Sequence, residues 1–286
     1  MADVSVIGTG AMGSALVEVL AASGAEVAVW NRTRGRAEAL TGPGVFVADS
    51  VGEALASSSL TIVSVSDHEL ARSLVEHAGH GVGGGVVAST SFATSEQAQD
   101  FDTVLSANGS RYLDLAIPGY PRDVRSGDGI FFISGDHAAF ESHREWFERI
   151  GRTTFVDQQP GAAFISEMAV VLAYLPMAVS LLQGLRICEA QNLSVESFEE
   201  MALELYPSHI RRLFERIREQ PDPATRDVEA SIDVWRQGAE EYLTYLQAMD
   251  QDTGMYEALH RLLSTASESG HGEEDWTRIA EHVVSR

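Results

Sequence analysis

The chain has 286 residues, 44% hydrophobic and 22% charged, which suits two globular domains with real cores. Its formal net charge of −22 argues against nucleic acid as a partner, because binding a phosphate backbone requires basic groups to neutralise it. One cysteine, Cys188, excludes an internal disulfide and any cysteine-rich metal site, and all 20 basic residues are arginines. With no lysine, a Schiff-base amine, a lysine general acid and a P-loop lysine are all closed to this protein.

Val4–Ile7 reads as a buried strand that runs into Gly8-Thr9-Gly10-Ala11-Met12-Gly13 and then into a helix over Met12–Ser23. Such a turn presents backbone N–H groups and the positive end of a helix to a pyrophosphate. Gly8 allows the tight turn, Gly10 gives the phosphates access to the backbone, and Gly13 permits close helix–strand packing. The second strand, Glu26–Trp30, ends in Asn31-Arg32-Thr33, with Arg36 one helical turn on. An NAD site usually carries Asp or Glu there, to accept from the ribose hydroxyls. Guanidinium forks and a hydroxyl instead suit a 2′-phosphate, so the pattern indicates NADPH.

Further strands are expected at Val45–Val47, Leu60–Val65, Gly85–Ser89, Tyr112–Ala116, Ile130–Ser134 and Thr153–Val156. Helices are expected at Arg34–Leu40, Val51–Ala56, His68–His77, Ser95–Asn108 and His137–Ile150. This alternation predicts an α/β domain over residues 1–158, a Rossmann-type doubly wound parallel sheet. The glycine run at 81–85 reads as a loop, since no helix follows it directly. Val65-Ser66 ends a strand and is expected against the cofactor. Ser89-Thr90-Ser91 ends the next one, at the carboxyl edge where such folds bind ligands. Ser89 and Ser91 either contact the nicotinamide end or simply cap the strand. His68, His77 and His80 read as surface-helix or loop positions and His209 is isolated; the histidines show no metal spacing, and no metal is expected.

After Pro160-Gly161 the pattern changes, and residues 162–190 are apolar on a helical period all round. A helix apolar on every side is buried on every side, so a long interdomain helix is expected, kinked or broken at Pro176, with Cys188 as a small core residue. Residues 159–286 are then this helix plus an all-α domain broken at Pro221-Asp222-Pro223 and at Gly270-His271-Gly272. No uninterrupted apolar run is read as reaching the roughly 18 residues of a bilayer span, and Met1-Ala2-Asp3 leads straight into a strand. A cytoplasmic protein without membrane contact is the expectation.

Several stations in order resemble the NADPH-dependent imine reductases, relatives of the β-hydroxyacid dehydrogenases. They are the Gly8–Gly13 turn, Asn31-Arg32-Thr33 with Arg36, Thr94-Ser95-Glu96-Gln97-Ala98, Tyr112-Leu113-Asp114-Leu115-Ala116-Ile117, and Ser269-Gly270-His271-Gly272-Glu273. The resemblance implies reduction of C=N bonds in cyclic or secondary imines. It also implies a homodimer whose long helices are exchanged, which could bring Trp235 of a partner into the cleft. β-Hydroxyacid dehydrogenases carry a catalytic lysine at the start of the interdomain helix, and this chain has none. Imine reductases usually place Asp or Tyr in that region, and Glu167 falls where that Asp aligns, with Ser166 one residue away.

Glu167 would donate a proton to nitrogen or stabilise an iminium; pairing with an arginine across domains is the structural alternative. Tyr174, seven residues on and on the same helix face, is the second proton-donor candidate, and Tyr120 lies in a loop at the expected cleft mouth. Phe164, Met168, Leu172 and Leu175 would suit an apolar imine or ketone substrate. A β-hydroxyacid-type carbonyl reductase and a non-catalytic NADPH-binding sensor or scaffold remain the alternatives.

Overall fold

The structure, a computed structural model, describes residues 1–78 and 84–284, so His80 and most of the 81–85 glycine run lie outside the described residues. Eight strands form one sheet in the order β3-β2-β1-β4-β5-β6-β7-β8. They are β1 Val4–Ile7, β2 Val27–Trp30, β3 Val45–Val47, β4 Leu60–Val63, β5 Val86–Ser89, β6 Arg111–Ala116, β7 Ile130–Gly135 and β8 Arg152–Asp157. β1 pairs in parallel with β2 on one side and β4 on the other, so the winding direction reverses between β1 and β4. That switch point opens a crevice at the carboxyl ends of the strands.

One pair departs from the expected parallel sheet: β6 and β7 are antiparallel, with Leu113 opposite Gly135 and Ala116 opposite Phe132. The cause lies in the connection. Between them stands only a six-residue helix, α6 Pro121–Ser126, which is not among the expected helices. The chain therefore re-enters the sheet from the end it left, whereas a parallel return needs a longer crossover. α7 (His137–Ile150) supplies such a crossover, and β7 and β8 are parallel.

The central strands are buried on both faces because helices cover both. On one face α1 (Ala11–Ala22) and α7 pack Leu16, Leu20, Phe140 and Phe147 against Val4, Val6 and Ile62. On the other, α3 (Val51–Ser57), α4 (His68–His77) and α5 (Ser95–Ala107) pack Leu55, Val75, Phe101 and Leu105 against Ile7, Val63, Val87 and Tyr112. α2 (Arg34–Glu38) is a single short turn at the rim. Ala163 and Phe164, in the first turn of α8 (Ala162–Ala190), join this second core.

Two compact units result, Met1–Pro176 and Met177–Arg286, dividing inside α8 rather than at its start. α8 continues through Pro176 as one helix. Within the single chain only Ala163 and Phe164 of α8 are buried, while Leu172 and Leu182 are more than half exposed. Cys188 is half-buried on it. The reading of no membrane-length run also needs correction, since residues 168–185 carry no charge and α8 is long and apolar enough to cross a membrane by length and composition.

The second unit holds the rest of α8, then α9 (Val195–Glu219), α10 (Ile232–Ala248) and α11 (Gly254–Ala266). Its core is small, with Ile232, Ala239, Leu263 and Ala266 buried together. A buried ion pair reinforces it: Arg216 reaches both oxygens of Asp275, at 3.2 and 2.9 Å, and Asp275 also accepts from the Glu229 and Thr277 backbone N–H groups. The Gly-His-Gly-Glu segment serves this unit. The Gly272 and Glu274 carbonyls accept from Asp233 and Ile232, fixing the start of α10.

Candidate active site

The crevice at the switch point is a cavity of about 390 Å³. Gly8, Gly10, Ala11, Met12 and Gly13 line it from the turn and α1, Asn31, Arg32, Thr33 and Arg36 from the end of β2, and Val65 and Ser66 from beyond β4. Trp30, Ser64, Leu70 and Leu74 complete the wall and were not read from the sequence. Trp30 and Ser64 are neighbours of residues that were, whereas Leu70 and Leu74 arrive on α4, whose docking no local pattern announces.

Two glycines shape this wall. Gly8 has φ +97°, and a Cβ there would lie 2.2 Å from the Ser64 carbonyl oxygen; a Cβ on Gly13 would lie 2.0 Å from that of Gly8. Over Gly10 there is open space, and α1 begins with no side-chain cap and no acidic residue in its first turn. Uncapped N–H groups facing a cavity form an anion site. The nearby arginines divide in role. Arg34 is committed to Glu38 at 2.8 Å and Asp49 at 2.6 Å. Arg32 and Arg36 line the cavity and, among the described residues, form no ion pair. The residues present therefore fit a dinucleotide carrying an extra phosphate.

Ser89 and Ser91 do not line this cavity. Both are buried; the Ser91 hydroxyl donates to the Val65 carbonyl at 3.0 Å, and the Ser89 hydroxyl accepts from the Ser91 N–H at 3.3 Å and bears on the Tyr112 hydroxyl. Of the two readings for this pair, the structural one describes the contacts. Thr90 donates to Ser64 at 3.2 Å.

Glu167 is half-buried near the start of α8. Burial alone pushes its carboxyl above the ordinary range, and it has no ion-pair or hydrogen-bond partner among the described residues. The arginine-paired alternative is thus not what this chain shows. Ser166 turns its hydroxyl back to the Ala162 carbonyl at 2.9 Å. Tyr174 is partly exposed, two turns along the face that bears Glu167. Tyr120 ends its loop as the N-cap residue of α6; its N–H donates to Asp123 at 2.8 Å, and the Arg122 guanidinium lies 5.2 Å from its ring centre. None of these three lines the 390 Å³ cavity. Phe164 is buried in the core, which removes it from the proposed substrate wall, whereas Met168, Leu172 and Leu175 are exposed. Trp235 packs on Trp276, with ring centres 5.8 Å apart, inside the second unit.

His77 is exposed as expected and His209 is exposed too, each turned to a carbonyl of its own helix. His68 is not: it is 3% exposed, edge-on to Phe101, and burial pushes its pKa down. As the first residue of α4 it tucks under the helix toward α5. Among the described residues one group has metal-ligand chemistry, His271, Glu274 and His282, whose ligand atoms lie within 4.8 Å of one another. Both imidazoles and Arg278 are hydrogen-bonded or ion-paired to the Glu274 carboxylate, at 3.0, 2.6 and 2.9 Å, so its oxygens are already engaged.

With this geometry in place, comparison with known proteins is specific. Residues 3–158 match the NAD binding domain of 6-phosphogluconate dehydrogenase, and residues 159–285 match the NADPH-dependent reductive aminase-like C-terminal domain. An imine reductase from Myxococcus stipitatus, solved in complex with NADP+, superposes with a TM-score of 0.87 at 25% identity, covering 98% of this chain and 99% of that one. The chain belongs to the imine reductase and reductive aminase family of oxidoreductases. Among sequence relatives of this imine reductase-type chain, the NADPH-dependent reductive aminase of Aspergillus oryzae is 21% identical over 284 residues, 98% of this chain and 96% of that protein. The cytokine-like nuclear factor N-PAC of Anopheles gambiae is 30% identical over 154 residues, 52% of this chain. The chain spans only 27% of that protein's length, and 34% of its counterpart in Aedes aegypti.

Proposed function

We propose that the chain is an NADPH-dependent reductase of C=N bonds in cyclic or secondary imines, with Glu167 as the proton donor. The observation that carries this reading is an unpartnered, half-buried carboxyl on α8 whose pKa is raised by burial. A raised pKa favours the neutral acid, which can donate a proton, over the carboxylate that would stabilise a cation. In a chain without lysine, the proton-transfer route of β-hydroxyacid dehydrogenases has no residue to run on.

The uncapped first turn of α1 would hold the pyrophosphate of NADPH, and Arg32, Thr33 and Arg36 its 2′-phosphate. When bound, NADPH supplies the hydride. Glu167 holds the proton destined for nitrogen, and burial on α8 favours the protonated carboxyl more than an exposed position would. Tyr174, which shares the helix face of Glu167, is the second proton donor, and Tyr120 is assigned to substrate orientation.

The proposed assembly is a cytoplasmic homodimer with exchanged helices. In support, α8 and α9 leave Leu172, Leu182, Met201, Leu203 and Phe214 more than half exposed, and a second copy of the chain is the occupant that the family resemblance implies. Light scattering without detergent should give twice the chain mass. A monomer, or a requirement for detergent, would argue for another cover on α8.

The substrate reading is tested by mixing the protein and NADPH with a panel of cyclic imines, keto acids and simple ketones, following loss of nicotinamide absorbance. Turnover of imines is expected. Oxidation with keto acids but not imines would make it a carbonyl reductase, and tight NADPH binding without any turnover would make it a sensor.

A further inference from the structure

We propose that Asp114, with Ser134, is the positioning residue for Glu167: the buried carboxylate of β6 caps the start of α8 and fixes the face on which Glu167 is presented. This rests on the reading of Glu167 above.

α8 has no acidic residue in its first turn, and a helix start leaves N–H groups that need acceptors. Here the acceptor comes from 47 residues earlier in the chain. Asp114 is fully buried and its Oδ2 accepts from the Gly161 N–H, directly ahead of the helix, and from the Ser134 hydroxyl at 2.7 Å. The Ser134 hydroxyl in turn accepts from the Ala163 N–H at 2.9 Å, so two backbone groups at the helix start are tied to one carboxylate. The other oxygen, Oδ1, accepts from the Tyr112 hydroxyl at 2.8 Å. Burial pushes the Asp114 carboxyl up, but every neighbour donates and none accepts, so the hydrogen bonds favour the carboxylate. A negative charge at a helix N-terminus is also favoured by the helix dipole.

The helix start also lies close against α5. A Cβ on Gly161 would lie 2.7 Å from the Ser95 Cα, so the backbone there is already in contact with α5. Glu167 stands four residues after Ala163, on the same face one turn up. Fixing the Ala163 N–H therefore fixes the helix face from which Glu167 projects. Asp114 is too deeply buried to touch substrate, so it acts through Glu167.

The test is a double-mutant cycle on the full chain, with Ser134→Ala and Asp114→Asn each made in the wild-type and Glu167→Gln backgrounds. Hydride transfer from NADPH to a cyclic imine is measured in single turnovers, with KM and NADPH affinity alongside. In the wild-type background each change is expected to slow hydride transfer about 10-fold, the scale of a small misplacement, while NADPH affinity stays within about two-fold. In the Glu167→Gln background neither should slow it further. Ser134→Ala leaves the buried charge in place and keeps the test usable if Asp114→Asn fails to fold. If Glu167→Gln loses turnover but the second change costs the same in both backgrounds, the positioning role is overturned and the Glu167 reading stands. If Glu167→Gln alone keeps wild-type turnover, both fall.

Discussion

The side-chain carbonyl of Asn31 accepts from the Thr9 backbone N–H at 3.1 Å, while its amide donates to the Thr33 carbonyl at 3.0 Å. One side chain thus joins the glycine turn to the loop that carries Arg32 and Thr33, and the two halves of the proposed cofactor site hold a fixed spacing. Asn31→Asp keeps the acceptor for Thr9 but loses the donor and sets a negative charge beside the expected 2′-phosphate. NADPH affinity should fall about 10-fold or more, with NADH affected much less. Titration of both cofactors checks this, and equal losses would contradict the placement of the phosphate.

The arginines allow a sharper comparison. Arg32→Ala and Arg36→Ala should each cost NADPH about 1.5–3 kcal/mol, the range for charge-assisted contacts, and leave NADH nearly unaffected. Arg34→Ala, two residues from both, removes only exposed ion pairs to Glu38 and Asp49. It should leave the NADPH-to-NADH ratio unchanged and lower stability by at most about 1 kcal/mol. If Arg34 matters as much as its neighbours, general positive charge rather than a phosphate site explains the preference.

How far the chain announced this arrangement depends on where each property is written. β1 and β3 fall at the expected residues because a strand's apolar run is local, and α4 and α7 do so because their caps, Asp67 and Asp136, are local too. The cofactor turn was legible for the same reason: the residues from Gly8 to Gly13 and from Asn31 to Arg36 each act within a few positions. Strand direction in β7 was not legible, because it is set by the short return through α6 rather than by β7 itself. The direction in which Ser89 and Ser91 point was equally hidden, since their partners, Tyr112 and Val65, lie on other strands and loops. Asp114 stood in a recognised motif, yet its tie to Gly161 crosses 47 residues and has no local signature.

The second unit makes a stability prediction. Burial by itself would raise the Asp275 pKa, but the donors from Arg216 and Thr277 outweigh it and hold the carboxyl below its ordinary value. A depressed folded-state pKa contributes stability that is present above the unfolded value near 3.8 and is lost as pH falls through the folded one. Unfolding of this unit should therefore be promoted by acid below about pH 4. Asp275→Ala leaves Arg216 buried without its counter-charge and should cost about 3–5 kcal/mol. Denaturant titration measures both effects, and a loss under about 1 kcal/mol would show that the pair is not what holds this small core together.

The proton role of Glu167 is the claim on which the function turns, and the pH dependence of kcat/KM for a cyclic imine tests it most directly. Burial raises the carboxyl's pKa, so the protonated donor persists to higher pH than for an exposed glutamate, and is lost as pH rises through that value. Wild-type activity should therefore decline on the alkaline side. Glu167→Gln should lower it by about 10²–10⁴-fold and abolish that decline, with NADPH affinity unchanged. A Gln variant that turns over at the wild-type rate, or a wild-type rate that rises as Glu167 ionises, would contradict the account.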